Sequence, residues 1–100
     1  MEAVFATKED LNRLLNWCND APDYQKYLSS YIKDRDDTAV VILKDEHELA
    51  AIGLLKIMTT EKTGSIWIYT KEANYQNHPE MIQTSLKWLR QKGAKNYTVI

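Results

Sequence analysis

Cysteine is nearly missing from this chain: Cys18 is the only one among 100 residues, so no internal disulfide can form, and a reducing, cytoplasmic setting is expected. Glycine and proline are scarce too, three and two residues, which leaves little room for flexible linkers. Neither an internal repeat nor a low-complexity segment is present. No apolar run approaches the roughly 20 residues that span a bilayer, and the first residues lack the charged-then-apolar pattern of a signal peptide. Charge of one sign is also lacking: 13 Lys and Arg stand against 14 Asp and Glu, a net −1, so the chain carries no electrostatic footprint for nucleic acid or an anionic membrane. His47 and His78, distant from Cys18, make no metal-ligand spacing. A Gly-rich phosphate loop, a dinucleotide fingerprint and a Ser-His-Asp set are all missing. What is present is an ordinary globular composition, 44% hydrophobic and 27% charged, in a length that suits one domain with one core.

Local patterns divide the chain cleanly. Ala3 to Ala6 reads as a short edge strand. Thr7 with Asp10 forms a capping-box-like start, and Leu11, Leu14, Leu15 and Cys18 at helical spacing predict a helix over Lys8 to Asn19. Asn19-Asp-Ala-Pro22 breaks it, and Pro22 suits the first turn of a second helix with an apolar stripe of Tyr24, Tyr27, Leu28, Tyr31 and Ile32. Asp34 to Asp37 ends that helix in a polar loop. Thr38 to Leu43 is apolar on both faces, as a central strand is. Leu49 to Met58 follows a charged turn as a second long strand, and its Gly53 marks a bulge or a close backbone approach. After a turn over Thr59 to Gly64, Ser65 to Thr70 alternates Ile66 and Ile68 against Trp67 and Tyr69. A helix opens at Pro79, turns Ile82, Leu86 and Leu89 inward and stops at Gly93, placed as a C′ cap. Lys95 to Ile100 closes the chain as a strand.

The order β-α-α-β-β-β-α-β predicts an α+β fold (α/β in looser usage) with a mixed sheet of about five strands and three helices. The helical crossover makes the Ile66 and Tyr97 strands parallel neighbours, and the preceding three strands an antiparallel meander. A loop leading from a strand into a helix, as Lys71 to His78 does, exposes helix-start N–H groups and is a natural place for an anion.

Several segments, in this order, resemble the GNAT (Gcn5-related N-acetyltransferase) superfamily. They are Ala-Thr-Lys-Glu-Asp-Leu from Ala6, the hairpin from Val41 to Leu49 followed by Ile52-Gly53, the strand-loop-helix of Ile66 to Gly93, and the helix end and turn from Lys87 to Asn96. The family's most specific motif, Arg/Gln-x-x-Gly-x-Gly/Ala, lets backbone N–H groups bind the pyrophosphate of acetyl-CoA. Its counterpart here is Gln76 to Met81: Gln76 fits, Pro79 stands for the first glycine and Met81 for the small residue. Pro79 carries no N–H, and a lost hydrogen bond to a charged group is worth roughly 1.5–3 kcal/mol. Glu80 adds negative charge where a pyrophosphate would bring more. Pro79 and Glu80 equally suit an ordinary helix start.

The resemblance implies acetyl-CoA as donor and a primary amine, on a small molecule or a protein, as acceptor. It implies that the backbone of Ile68, Tyr69 and Thr70 holds the pantetheine arm like an added strand and that Gln76, Asn77, His78, Glu80 and Met81 face the pyrophosphate. Tyr24, Tyr27 and Tyr31, with Trp17, would line the acceptor pocket or simply pack as core. His78 would serve as a base or sit as an exposed loop residue. Lys87, Arg90, Lys92 and Lys95 would meet the 3′-phosphate of CoA or form a solvated face. The family's domain continues with another helix and two strands beyond the counterpart of Ile100, so no residue here is matched to the Tyr that protonates the leaving thiolate. Ser65 to Thr70 holds no counterpart of its Glu base. The alternative is a GNAT-fold interaction module without catalysis, with the edge at Tyr97 to Ile100 pairing with another chain, a second copy included. Splayed Ile66 and Tyr97 strands would suit the enzyme, and strands bonded throughout would suit the module.

Overall fold

Five strands line up in sequence order in a single sheet in the computed structural model, which describes residues 1–33 and 35–100. They are β1 (Glu2–Phe5), β2 (Thr38–Asp45), β3 (Glu48–Met58), β4 (Thr63–Tyr69) and β5 (Asn96–Val99). The helices are α1 (Leu11–Trp17), α2 (Pro22–Tyr31) and α3 (Pro79–Gln91). The first four strands are antiparallel neighbours and β5 joins β4 in parallel, the α+β arrangement that the element order predicts. Asp34, read as part of the loop after the second helix, lies outside the described residues. Among the described residues no helix is long and apolar enough to cross a membrane.

The central strands are apolar on both faces because each face meets a helical layer. Val40, Ile42, Ile52 and Leu54 pack with Leu14, Cys18, Tyr24 and Leu28 of the α1–α2 side. Val41, Leu43, Leu55, Ile66 and Ile68 pack with Met81 and Leu89 of α3. Period-two alternation in the strands thus feeds two separate cores, one on each face of the sheet.

Several boundaries differ from the sequence reading. The expected helix over Lys8 to Asn19 opens as a 3-10 turn at Lys8–Asp10, where the Thr7 N–H donates to the Asp10 carboxylate at 2.9 Å. Regular α-helix runs only to Trp17, since Pro22 restarts the chain as α2 so soon afterwards. On α3 the fully buried stripe is Met81, Ser85 and Leu89, and Ile82 and Leu86 flank it half-buried. Gly53 pairs regularly with Val41 and Ile68, and the irregularity in the meander falls instead between Leu43 and Lys44. Gly53 is nevertheless a close approach: the Met81 sulfur lies 3.2 Å from where its Cβ would stand. Gly93, at φ 97°, is the left-handed C′ residue expected of it.

Gly64 belongs to β4 rather than to a turn. An added Cβ there would lie 2.6 Å from Leu89 Cδ2, so only a glycine lets α3 settle onto this strand. On the same helix as Leu89, the wholly buried Ser85 hydroxyl has no hydrogen-bond partner among the described residues. Gly64→Ala is expected to destabilise the fold by about 1–3 kcal/mol through overpacking, and Leu89→Val in the same chain to recover part of that loss, as read by urea denaturation. Ser85→Ala is expected to raise stability by about 1 kcal/mol, because the orphaned hydroxyl is removed with little change of shape; a lower denaturation midpoint would contradict the assignment.

Candidate functional site

The end of β4 is the point from which the site is built. On one side, Gly53 and Ile52 of β3 lie opposite Ile68 and Tyr69. On the other, the Ile100 N–H donates to the Ile66 carbonyl at 2.7 Å and the Ile68 N–H to the Ile100 carbonyl at 3.5 Å. The β4–β5 pairing therefore runs as far as Ile100 and loosens at its last bond. Thr70 follows the strand; its hydroxyl donates to the Ala50 carbonyl at 2.7 Å and accepts the Glu72 N–H at 3.2 Å, which fixes where the loop departs.

That loop is tightly self-bonded. The N–H groups of Tyr75, Gln76 and His78 donate to the carbonyls of Glu72, Ala73 and Tyr75 at 3.1, 3.2 and 3.3 Å. His78 is the N-cap of α3, and its Nδ1 accepts the Glu80 N–H at 3.2 Å. Neutral His78 with Nδ1 so engaged carries its proton on Nε2 and offers no free acceptor nitrogen to a substrate. Pro79 has no N–H at all. From Tyr75 to Ile82, the backbone donors without a partner among the described residues are those of Asn77 and Met81. The residues read as facing a pyrophosphate thus share one turn but differ in access. Asn77 and Glu80 are exposed, Gln76 and His78 are half-buried, and the Met81 side chain is wholly inside the core.

The opposite face of β4 is aromatic. Helix α2 lies over β2 and β3, and Trp67 and Tyr69 of β4 remain half-buried beside it. Tyr24, read as a candidate acceptor wall, is buried at 3% exposure, and its hydroxyl donates toward the Trp67 and Ile52 carbonyls, with oxygen–oxygen distances of 2.8 and 3.0 Å. Burial pushes its pKa well up, so it is a neutral donor that ties α2 to both strands. Tyr27 is exposed at 45% and stacks edge-on against Trp67, with half-buried Tyr31 beyond it. The rings run on without a break from Tyr24 to Tyr69 and from Tyr69 to Trp17.

At the end of this row the Tyr69 hydroxyl donates to the Asp20 carboxylate, and the Lys71 ammonium sits 5.0 Å from the Trp17 ring centroid. Burial, and then the bond to Asp20, raises the Tyr69 pKa to about 12. The same bond lowers that of Asp20, which stands ionised beside the rings. Asp20, Tyr69 and Lys71 are a grouping that sequence reading does not assemble: Asp20 looks like a helix breaker and Lys71 like a loop residue. The signal available in sequence is only the aromatic alternation of Trp67 and Tyr69. A folded Tyr69 pKa above the ordinary value near 10 means that stability falls as pH rises from about 10 toward 12, where unfolded Tyr69 ionises and folded Tyr69 does not. Asp20→Asn is expected to lower the Tyr69 pKa part of the way back, read by ultraviolet titration of tyrosinate; an unchanged titration curve would count against the bond.

No family model and no curated protein matches the sequence at a significant level. Solved structures do match it. A probable acetyltransferase superposes over 100% of this chain and 78% of its own, with a TM-score of 0.72 at 18% identity. The ribosomal-protein-alanine N-acetyltransferase of Brucella melitensis biovar Abortus 2308 covers 99% of this chain and 79% of its own, at 0.72 and 8%. A GNAT family acetyltransferase of Staphylococcus aureus covers 100% and 87%, at 0.62 and 14%. The chain has the fold of the GNAT (Gcn5-related N-acetyltransferase) superfamily.

Proposed function

We propose that this protein is a GNAT-type N-acetyltransferase that moves an acetyl group from acetyl-CoA to a primary amine of a small molecule or a protein in the cytoplasm. The observation that carries this reading is the position of the aromatic face: Trp67 and Tyr69 lie on the same short strand end as the Ile68–Thr70 backbone. A thioester laid along that backbone would lie beside an acceptor held by the rings. The amine, once deprotonated, attacks the thioester carbonyl. The C–N bond forms, the C–S bond breaks, and CoA leaves as a thiolate that takes up a proton. A backbone N–H at the strand end polarises the carbonyl oxygen, the general device of acyl transfer.

The pyrophosphate end fits the donor poorly. Asn77 and Met81 supply the uncommitted N–H groups, while Glu80 repels the anion and Pro79 withholds a donor. This helix start, together with the β4–β5 bonding that continues to Ile100, supports a second reading, a non-catalytic interaction module on the same fold. In either reading the outer edge of β5, which pairs with no further strand among the described residues and exposes Tyr97 and Ile100, would serve as the template for a homodimer.

Calorimetric titration with acetyl-CoA separates these readings. Wild-type protein is expected to bind weakly, and Pro79→Gly/Glu80→Ile to bind roughly ten- to hundredfold more tightly, the value of one restored charge-assisted hydrogen bond. Binding gained only in the double variant would support the module. Absence of binding in both would overturn the placement of the donor along Ile68–Met81.

A further inference from the structure

The row of rings ends in a group with the chemistry of an ammonium receptor. Asp20 supplies an ionised, solvent-exposed carboxylate, held in place by the Tyr69 hydroxyl. Trp17 supplies a π face, set edge-to-face against Tyr69 at 5.6 Å between ring centroids. Over that face lies a primary ammonium already, the Nζ of Lys71 at 5.0 Å. Lys71 is exposed and is the second residue past the end of β4, on a long, flexible stem. Such a contact on a surface site is shallow, and an external ammonium of the same chemistry can displace it.

We propose that Trp17, Asp20 and Tyr69 form a subsite for an organic primary ammonium group, and that Lys71 occupies it as an internal competitor. This rests on the reading of the aromatic face as the acceptor side and deepens it by naming the substrate class: an aliphatic amine, cationic in solution, rather than a neutral arylamine. The indole face and the carboxylate select charge, since a neutral isostere gains neither the cation–π contact nor the ion pair. Tyr69 positions the carboxylate through its hydrogen bond. Beyond the buried Tyr24, the rings of Trp67 and Tyr27 offer apolar surface to the carbon chain of the ligand. Lys71 reduces the apparent affinity by the fraction of time its ammonium covers Trp17.

The test uses 1,5-diaminopentane as probe and 1,5-pentanediol as its uncharged control, without acetyl-CoA, followed by the NMR signal of the Trp17 indole N–H. The diamine is expected to shift that signal saturably and the diol not to. Lys71→Met is expected to tighten diamine binding by about threefold or more, within the range of a single cation–π contact. Lys71→Arg, which keeps a cation over the ring, is expected to leave it unchanged. Asp20→Asn is expected to weaken it by about threefold or more, as loss of an exposed ion pair does. Equal binding of diol and diamine, weaker or unchanged binding in Lys71→Met, or no effect of Asp20→Asn would each overturn the proposal. Because no acyl donor is present, amine binding can fail while acetyl-CoA still binds, and the reverse, so the failure of this subsite and of the enzymatic reading are told apart.

Discussion

Parallel pairing of β4 with β5 is the constraint on which the rest of this molecule depends. Two parallel neighbours cannot be joined by a tight turn; the chain has to leave the end of one strand, cross a face of the sheet and return to the start of the other. That demand produces the loop from Thr70 to His78 and the helix α3. It also places a helix start and a strand end side by side. Gly64 is where the crossover is pressed home, with Leu89 packed into the space that a side chain on β4 would fill.

The helix start reached by this crossover is optimised for the helix. His78 caps it through Nδ1, Pro79 presets the first turn and Glu80 complements the dipole. Each of these stabilises α3, and each takes something away from an anion: a donor engaged, a donor absent, a charge of the wrong sign. Helix stability and anion affinity draw on the same few N–H groups, so a gain in one is a loss in the other. In this chain of GNAT fold, the turn that opens α3 is committed to the helix.

The other face of β4 shows a different economy. Tyr24 is buried, but its hydroxyl cannot be left unpaired there, and it lies between the carbonyls of Ile52 and Trp67. That arrangement anchors α2 over the sheet and sets the neighbouring rings at its margin, where Trp67 and Tyr69 stay partly open. The charged groups Asp20 and Lys71 then collect at the end of the row, each against an aromatic partner.

Sequence alone determined the order of the elements, the pairing of the strands and the apolar helix faces, because those follow from local periodicity, turn residues and the handedness of crossovers. Gly93 as a helix terminator was readable for the same reason, since a left-handed residue at that place calls for glycine. The role of Gly64 was not, because a turn glycine and a strand glycine look alike until Leu89 is known to face it. The shift of the buried stripe on α3 from Ile82 to Met81, Ser85 and Leu89 also waited for the structure: the apolar residues there form a broad band, and the sheet decides which line of it lies deepest. His78 was legible as a loop histidine but not as a cap, which depends on its ring orientation. Trp17, Asp20, Tyr69 and Lys71 are far apart in the chain and individually unremarkable in type. Only the docking of the α1–α2 turn against the end of β4 made them neighbours, because contacts between distant residues are set by packing and not by any local preference.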